Sequence, residues 1–301
     1  MARADSPPRA AGVAPAVMGP PPISDRQARL LAERASRAAG ILSGTDKPDF
    51  VRTRLARRLS ALHLTDFDAY IARLSGAQGS EELPHLIEAL TTHTTSFFRE
   101  PGHFDWMRET ALPALAAEGR GTRHDLTIWS AAVSTGAELW TVGMTVEEYA
   151  RTTGTPLTYR LIGTDISRPI LRKAAQAVFS EADIRSIPEA LRPRYLLRSK
   201  RIVGPDEARA YRIVPALRNR TRFAYANLID LTRAPAFTAD LVLLRNVLIY
   251  FSREDQARVA SAVAARVRHG GHVVFAHSET LRDPVPGLVP LGRSIYRKEA
   301  S

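Results

Sequence analysis

An acidic side chain that closes a strand-like run is the first sign of chemistry in this sequence. Residues 159–163 favour a strand that stops at Asp165, where a carboxylate can accept hydrogen bonds from a ribose. An earlier run, residues 126–129, passes through the turn Ser134-Thr135-Gly136 into a helical pattern. Together they predict a strand, a turn, a helix and a second strand, one nucleoside-binding half of an open parallel sheet. The same pattern is common in α/β proteins of other functions, so alone it does not identify a nucleoside-binding protein.

Polar residues also follow two later strand-like runs. Asn227 comes after residues 221–225, and Arg245 and Asn246 come after residues 241–244. Because ligands of open α/β sheets bind beyond the carboxyl ends of the strands, we expect these residues to meet Asp165 and Gly136 in one crevice. The turn at Gly136 lacks the three glycines of dinucleotide-binding proteins, so the crevice suits a nucleoside without phosphates.

An arginine beside two aromatic residues is a candidate for binding a carboxylate. The run 91–107 is rich in threonine, which makes a poor helix interior, and Phe97 and Phe98 should anchor it. Arg99 would then project beside an aromatic wall as a planar, permanently charged donor. The alternative is a surface arginine stacked on phenylalanine.

Four short helices are expected to precede these motifs, over residues 24–39, 47–62, 66–74 and 81–90. They would form a small all-α domain over residues 23–91, after a disordered Ala/Pro-rich tail at residues 1–22. On the second helix, Arg54, Arg57 and Arg58 cluster beside the apolar face and form a basic ridge. A basic helix face usually serves only solubility, so the ridge alone assigns no partner.

Residues 92–301 are expected to form a second domain, in which strands alternate with helices from Leu126 onward, including a helix over residues 169–178. Short β-rich pieces at residues 195–197, 201–203 and 211–213 interrupt this alternation. They predict a small antiparallel subdomain over residues 192–215. The fold class is therefore α/β, with a Rossmann-like parallel sheet, an antiparallel β insertion and a preceding all-α domain.

Composition narrows the classes of function. The absence of cysteine excludes disulfides and thiolate sites, and the eight histidines show no metal-binding spacing, so we expect no metal. The chain shows no run of 18 apolar residues and no secretory signal, which favours a cytoplasmic protein without membrane insertion. A net charge of +11 predicts attraction to an acidic partner, although an Arg-rich solvated surface would give the same value.

Seven sequence motifs, in the same order along the chain, resemble those of a known protein family. The segments TTHTTSFFRE, WSAAVSTGAE, GTDIS, ANL, RNVLIYF, HSE and SIYRK resemble those of CheR-type chemotaxis methyltransferases, which methylate chemoreceptor glutamates with S-adenosylmethionine. The resemblance covers residues 23–298 and includes RTRLARRL of the second helix. It implies a small helical domain followed by a methyltransferase domain with an antiparallel subdomain.

The resemblance also implies roles for individual residues. Arg99 would orient the substrate carboxylate, and Tyr250, which could equally be a packed aromatic residue, would line the reacting centre. The basic ridge of Arg54, Arg57 and Arg58 would contact the receptor, and a receptor C-terminal peptide could bind at residues 204–208 of the β-subdomain. A monomer is expected. The residues implied to hold S-adenosylmethionine are His93, Thr95, Arg99, Glu138, Asp165, Asn227, Leu228, Arg245 and Asn246.

Two positions depart from the family pattern. His93 stands where the family commonly has asparagine, and Ala137 replaces the first carboxylate of its STGEE turn, which we expect to contact the cofactor. Two alternatives therefore accompany the glutamate methyltransferase hypothesis. One is a nucleic-acid methyltransferase, suggested by the net charge, although no aromatic platform for a flipped base is evident. The other is a catalytically weak S-adenosylmethionine-binding protein, suggested by Ala137.

Overall fold

The computed structural model describes residues 20–40, 47–199, 209–279, 281 and 284–299. Most of the predicted tail at residues 1–22, and the whole loop at residues 204–208, therefore lie outside the described residues. Within the described part of the chain, no helix has both the length and the apolar character needed to cross a bilayer.

Four helices form the N-terminal domain, as predicted: α1 (Asp25–Ala39), α2 (Pro48–Ala61), α3 (Phe67–Ser75) and α4 (Gly79–Leu90). The first begins at Ser24, whose hydroxyl accepts from the Gln27 N–H while the Gln27 side chain bonds back to the Ser24 backbone. It ends at Gly40, whose φ of 75° favours glycine. Apolar faces of all four helices share one core, which includes Leu31, Leu55, Tyr70 and Leu86.

Two short helices, α5 (Pro101–Trp106) and α6 (Leu112–Ala117), flank one π-helical turn at Met107–Ala111 and lead into the sheet. The sheet has seven strands: β1 (Leu126–Ser130), β2 (Tyr159–Asp165), β6 (Thr221–Tyr225), β7 (Ala239–Leu244), β8 (Val267–Phe275), β9 (Leu288–Gly292) and β10 (Ile295–Lys298). Their order in the sheet is β6-β2-β1-β7-β8-β10-β9. Neighbours from β6 to β8 pair in parallel, whereas β10 pairs antiparallel with β8 and β9.

The strand order reverses at β1, which lies between β2 and β7, so a crevice opens beyond its carboxyl end. Strands β1 and β7 lie at the centre of the sheet, and all side chains of both strands are buried, as is typical of central parallel strands. The remaining helices are α7 (Ala137–Thr153), α8 (Arg168–Gln176), α9 (Arg192–Tyr195), α10 (Pro215–Asn219) and α11 (Arg253–Ala264). The Rossmann-like fold class with its preceding all-α domain is confirmed.

A second, antiparallel sheet of three strands has the order β3-β5-β4, from β3 (Val178–Phe179), β4 (Leu196–Arg198) and β5 (Tyr211–Ile213). Its first strand precedes the range 192–215 in which we expected the subdomain. The helix expected over residues 169–178 instead ends at Gln176, because Ala177 adopts a left-handed φ of 54°. The chain then leaves the helix in time for Val178 to pair with Arg212. The piece at residues 201–203 lies outside the described residues.

The end of α1 contacts the α/β domain. The Asn227 Nδ2 donates to the Ala38 carbonyl at 2.8 Å. A Cβ at Gly40 would lie 2.6 Å from Ile229 and 2.7 Å from Phe251, so only glycine permits this approach. The two domains therefore meet at the edge of the crevice.

Candidate active site

A cavity of about 920 Å³, counted with its open mouth, lies beyond the carboxyl ends of β1, β2, β6 and β7. Every residue that we predicted to bind the cofactor or act in catalysis lines it: His93, Thr95, Arg99, Glu138, Asp165, Asn227, Leu228, Arg245, Asn246 and Tyr250. The helical domain contributes Ala39, and residues 91–96 form one rim. The arginines of the basic ridge do not line this cavity.

Asp165 combines a binding role with a structural one. Its carboxylate accepts the Ser134 N–H at 2.9 Å and the Ser167 N–H at 3.0 Å, so it ties the turn after β1 to the end of β2. One N–H on each oxygen leaves further lone pairs for the hydroxyls of a ribose. In the same turn, a Cβ at Gly136 would lie 2.8 Å from the Trp140 indole nitrogen, and its φ of 88° favours glycine.

Arg245 is buried and is already balanced by two carboxylates. Its side chain is 1% exposed, with Nη1 at 3.0 Å from Glu138 Oε2 and Nη2 at 3.4 Å from Glu100 Oε2. Glu138 also accepts the Ser130 hydroxyl at 2.8 Å. A guanidinium held in this way has little capacity to bind another anion. We therefore assign Arg245 to holding Glu138 and Glu100 in place rather than to direct contact with a ligand.

Arg99, in contrast, has no carboxylate partner within the described part of the chain. Its Nη1 donates to the Thr94 carbonyl at 3.2 Å, and the residue lines the cavity without a further hydrogen bond from its side chain to the described residues. The predicted anchoring is confirmed for Phe97, which is 1% exposed and packs edge-on against Phe179 with ring centroids 4.8 Å apart. Phe98 packs against Phe104 at 5.8 Å. Arg99 is thus an uncompensated positive charge on a fixed segment.

His93 lines the cavity as a neutral group. Burial lowers the pKa of its imidazole, although the neighbouring Asp165 carboxylate opposes that shift. Its Nε2 is buried and lacks a hydrogen-bond partner among the described residues. A buried ring nitrogen without a partner is costly, so a ligand that supplies one is favoured here. The His93 carbonyl accepts the Ser134 hydroxyl at 2.8 Å, which ties this rim to the turn after β1.

Asn227 and Leu228, which follow β6, form another part of the cavity wall. Besides its bond to Ala38, Asn227 accepts the Ile229 N–H at 3.1 Å through Oδ1. One N–H of its amide remains for a ligand, and the same residue links the domains. Leu228 is 7% exposed and provides an apolar surface suited to a base.

Two glutamates shape the loop after β7, and we did not predict a role for either. Glu279 is 5% exposed and accepts backbone N–H groups of Asn246 at 2.7 Å, Leu248 at 2.8 Å, Ala276 at 3.1 Å and Ile249 at 3.4 Å. Burial raises its pKa although these donors oppose the shift.

Glu100 accepts the Asn246 Nδ2 at 3.2 Å and the His277 N–H at 3.0 Å. Burial would raise its pKa, but the His277 N–H and Arg245 outweigh burial and hold the pKa below its usual range. The Glu100 and Glu279 carboxylates therefore support Asn246, whose φ of 57° is left-handed, and the loop that carries Tyr250. The motifs FFRE and HSE contained both glutamates, but nothing in their local pattern shows what they bind.

Positions 137 and 138 differ in their relation to the cavity. Ala137 is buried in a cluster with Phe97, Trp140 and Met144 and does not line the cavity. Glu138, the next residue along α7, does line it. A carboxylate is therefore present in the cavity wall at position 138, whereas the cofactor contact that we expect from the first carboxylate of the STGEE turn stays a prediction.

The structure also corrects the basic ridge. Arg58 forms a bidentate pair with Glu82, at 2.8 and 2.6 Å, and Glu82 is 1% exposed. Tyr70 and Arg73 complete this cluster at 3.0 and 3.5 Å from Glu82. Arg58 on α2 is thus paired with Glu82, a buried carboxylate of α4, and this pair contributes to the structure of the helical domain. Arg57 is exposed, and Arg54 reaches Thr91 and Thr92 at 3.4 Å, beside the cavity rim.

One group could in principle coordinate a cation: Glu100, His103 and His277 offer ligand atoms within 4.8 Å of one another. Glu100 is already engaged by Arg245 and the His277 N–H. Burial, with a smaller contribution from the Arg245 charge, lowers the pKa of His103 to about 4. We assign no ion to it.

The cavity fits S-adenosylmethionine in its donor set. It has room for a nucleoside, a carboxylate for the ribose at Asp165, an apolar wall at Leu228 and a buried nitrogen without a partner at His93. Arg99 adds a cation that could pair with the carboxylate of an amino acid.

Comparisons with known proteins agree with this geometry. Residues 27–91 match the family model described as CheR methyltransferase, all-alpha domain, and residues 93–288 match CheR methyltransferase, SAM binding domain. The chemotaxis protein methyltransferase of Salmonella typhimurium is 30% identical over 91% of this chain and 90% of its own length. That of Escherichia coli is 31% identical over 91% of both chains. Chemotaxis protein methyltransferase 2 of Pseudomonas aeruginosa is 32% identical over 88% of this chain and 90% of its own length. The chain belongs to the CheR methyltransferase family, and the resemblance drawn from its motifs is confirmed.

Proposed function

We propose that this protein transfers the methyl group of S-adenosylmethionine to glutamate side chains of a chemoreceptor, as an O-methyltransferase. The observation that carries the proposal is Arg99, an uncompensated guanidinium in the wall of a cavity that also presents Asp165. An acceptor carboxylate needs a planar cationic partner beside the bound cofactor, and Arg99 is suited to that role. The names of the relatives support a chemotaxis substrate.

The cofactor end of the cavity is assigned to residues that line it. Asp165 accepts the ribose hydroxyls, Leu228 and Asn227 contact the base, and His93 and Thr95 close the rim. Glu138 offers its remaining lone pairs to the amino group of the cofactor. Arg245 and Asn246 act mainly by holding Glu138, Glu100 and the loop after β7 in position.

Bound S-adenosylmethionine supplies an electrophilic methyl group on a sulfonium, so the protein need not activate it. Arg99 orients the acceptor carboxylate, and Tyr250 forms the adjoining wall. The carboxylate attacks in its ionised form, so no side chain has to remove a proton. Most of the rate then comes from proximity, orientation and exclusion of water. His277, which is half exposed, is therefore not assigned as a base.

Two observations bear on the alternative functions. A catalytically weak cofactor-binding protein was suggested by Ala137, but Glu138 is the residue that reaches the cavity. A nucleic-acid methyltransferase was suggested by the net charge, but one of the three ridge arginines, Arg58, is paired with Glu82, and only Arg54 and Arg57 stay exposed. We therefore retain the protein-glutamate hypothesis.

The direct test is transfer of a labelled methyl group from S-adenosylmethionine to receptor-containing membranes. A carboxyl methyl ester releases its label as methanol in base, which distinguishes it from methylated nitrogen or nucleic acid. Base-stable label, or no transfer, contradicts the proposal.

Arg99 provides the sharper test of the mechanism. Arg99→Ala should lower kcat by about a hundredfold or more, because the acceptor carboxylate loses its orientation. Arg99→Lys should restore little, since a point charge does not reproduce a planar fork. The measurement is kcat and KM for receptor methylation, with Arg172→Ala, an exposed arginine on α8, as the control. Full activity of Arg99→Ala would remove Arg99 from the mechanism.

A further inference from the structure

A second cleft adjoins the active-site cavity and has no role in the proposed chemistry. It measures about 720 Å³ with its open mouth and is bordered by the start of α7, by α8, and by β3 with the segment that follows it. Thr95 and Ser96 line both spaces, so one short stretch of backbone separates them. Phe97, Ala137 and Phe179 form the apolar part of its lining.

Two cations border this cleft: Lys173 of α8 and Arg185 in the segment after β3. Both side chains are exposed, and neither has an ion pair or hydrogen bond within the described ranges of the chain. One carboxylate, Asp183, also lines the cleft, but it accepts from the Ser180 N–H at 2.9 Å and the Ser180 hydroxyl at 2.8 Å. The cleft therefore has a net positive charge and two cations available to a ligand.

The rim of the active-site cavity links this cleft to the helical domain. Residues 91–96 form no helix or strand and line the cavity along their whole length. Arg54 contacts the first two residues of this rim, and the second cleft begins at its last two. Six extended residues cover at most about 20 Å, which an α-helix spans with about 13 residues. Cationic side chains therefore lie near both ends of residues 91–96, and the length of this rim is at most that of an α-helix of about 13 residues.

We propose that the second cleft binds acidic side chains of the helical segment that carries the acceptor glutamate. This inference rests on the proposed function and adds a contact at the end of residues 91–96 that Arg54 does not touch. A helix lying along residues 91–96 places its reacting glutamate over the cavity. A neighbouring acidic residue, a few helical turns away, then meets Lys173 and Arg185.

The aromatic residues of the cleft argue against a nucleic-acid strand as its ligand. Phe97 and Phe179 are 1% and 4% exposed, so neither offers a face on which a base could stack. An acidic peptide needs only the two cations and a smooth apolar floor, and both are present. Acidic residues beside the acceptor site thus become part of what the enzyme recognises.

The experiment compares Lys173→Glu/Arg185→Glu with the matched control Arg172→Glu/Arg233→Glu, which alters net charge by the same amount. Arg172 and Arg233 are exposed and line neither space. We expect the cleft variant to raise KM for receptor about tenfold with a much smaller change in kcat. Raising ionic strength to about 0.5 M should shrink this difference because it screens exposed charges. The control should match the wild type.

Affinity for S-adenosylhomocysteine, measured by calorimetry on each full-length variant, separates the possible failures. Unchanged affinity shows that the fold and the cofactor site are intact. With that result, a KM of the cleft variant equal to that of the control overturns the inference and leaves the proposed function standing. If the wild type transfers no methyl group to receptor, the proposed function fails, and the inference fails with it.

Discussion

Asp165 shows how one carboxylate serves both the fold and the ligand. Its two oxygens fix the turn after β1 through Ser134 and Ser167, and their remaining lone pairs face the cavity. Asp165→Ala leaves buried N–H groups of the protein and hydroxyls of the ribose without an acceptor. Each group left unpaired costs about 1–3 kcal/mol, in folding stability for the N–H groups and in binding free energy for the hydroxyls. We expect the affinity for S-adenosylhomocysteine to fall at least about tenfold, as measured by calorimetry.

Asp230 provides a matched control for that prediction. It accepts the N–H of Thr232 at 3.0 Å in a turn of the same kind, but it does not line the cavity. Asp230→Ala should bind S-adenosylhomocysteine as the wild type does. Equal affinities for Asp165→Ala and the wild type would show that Asp165 does not hold the ribose.

At the scale of elements, Glu279 determines the course of the loop that brings Asn246 and Tyr250 to the cavity. Glu279→Gln replaces one acceptor oxygen with an amide that faces backbone donors, so the loop should shift. We expect kcat for receptor methylation to fall about tenfold and unfolding free energy to fall by about 1–3 kcal/mol. Denaturant unfolding and steady-state kinetics measure the two effects.

Glu82→Gln separates positioning from stability. Glu82 is also a buried carboxylate, but it lies in the helical domain and binds Arg58, Tyr70 and Arg73 away from the cavity. Its amide variant should lose stability while the folded protein keeps its kcat. If both variants lose kcat in proportion to their stability, Glu279 has no specific positioning role.

The sequence predicts those elements that depend on local pattern. Helices α1 to α4 and strands β1, β2 and β7 follow from periodicity, caps and apolar runs. The convergence of Asp165, Asn227 and Arg245 follows from the rule for parallel strands. Partners distant in the chain did not follow, because no local pattern shows that Arg245 meets Glu138 or that Arg58 meets Glu82. Strand β3 was missed because its first residue, Val178, continues an apparently helical run in the sequence, whereas the helix ends where Ala177 adopts a left-handed φ.

At the scale of the whole molecule, the net charge of +11 can steer an acidic partner towards the cavity only if exposed cationic side chains lie around the cavity. Arg58 must be left out of any test, since removing it would strand the buried Glu82 charge and destabilise the helical domain. Arg54 and Arg57 are the exposed members of the former ridge, and Arg54 touches the cavity rim. A chemoreceptor's glutamate-bearing helices would approach from this side.

Steering by these two arginines predicts a particular kinetic pattern. Arg54→Ala/Arg57→Ala should raise KM for receptor several-fold at low salt and leave S-adenosylhomocysteine affinity intact. The difference should fade as the Debye length shortens to a few Å, near 1 M salt. Arg172→Ala/Arg233→Ala removes the same charge at exposed positions that do not line the cavity and should behave as the wild type.

The same pair of variants also distinguishes a receptor from a nucleic acid as the acidic partner. A nucleic-acid enzyme would bind RNA or DNA with a steep salt dependence that Arg54→Ala/Arg57→Ala reduces. A receptor methyltransferase would show weak, sequence-independent binding that both variants lower alike, because only net charge matters there. Normal receptor kinetics together with a selective loss of nucleic-acid binding in Arg54→Ala/Arg57→Ala would therefore reverse our assignment of this surface.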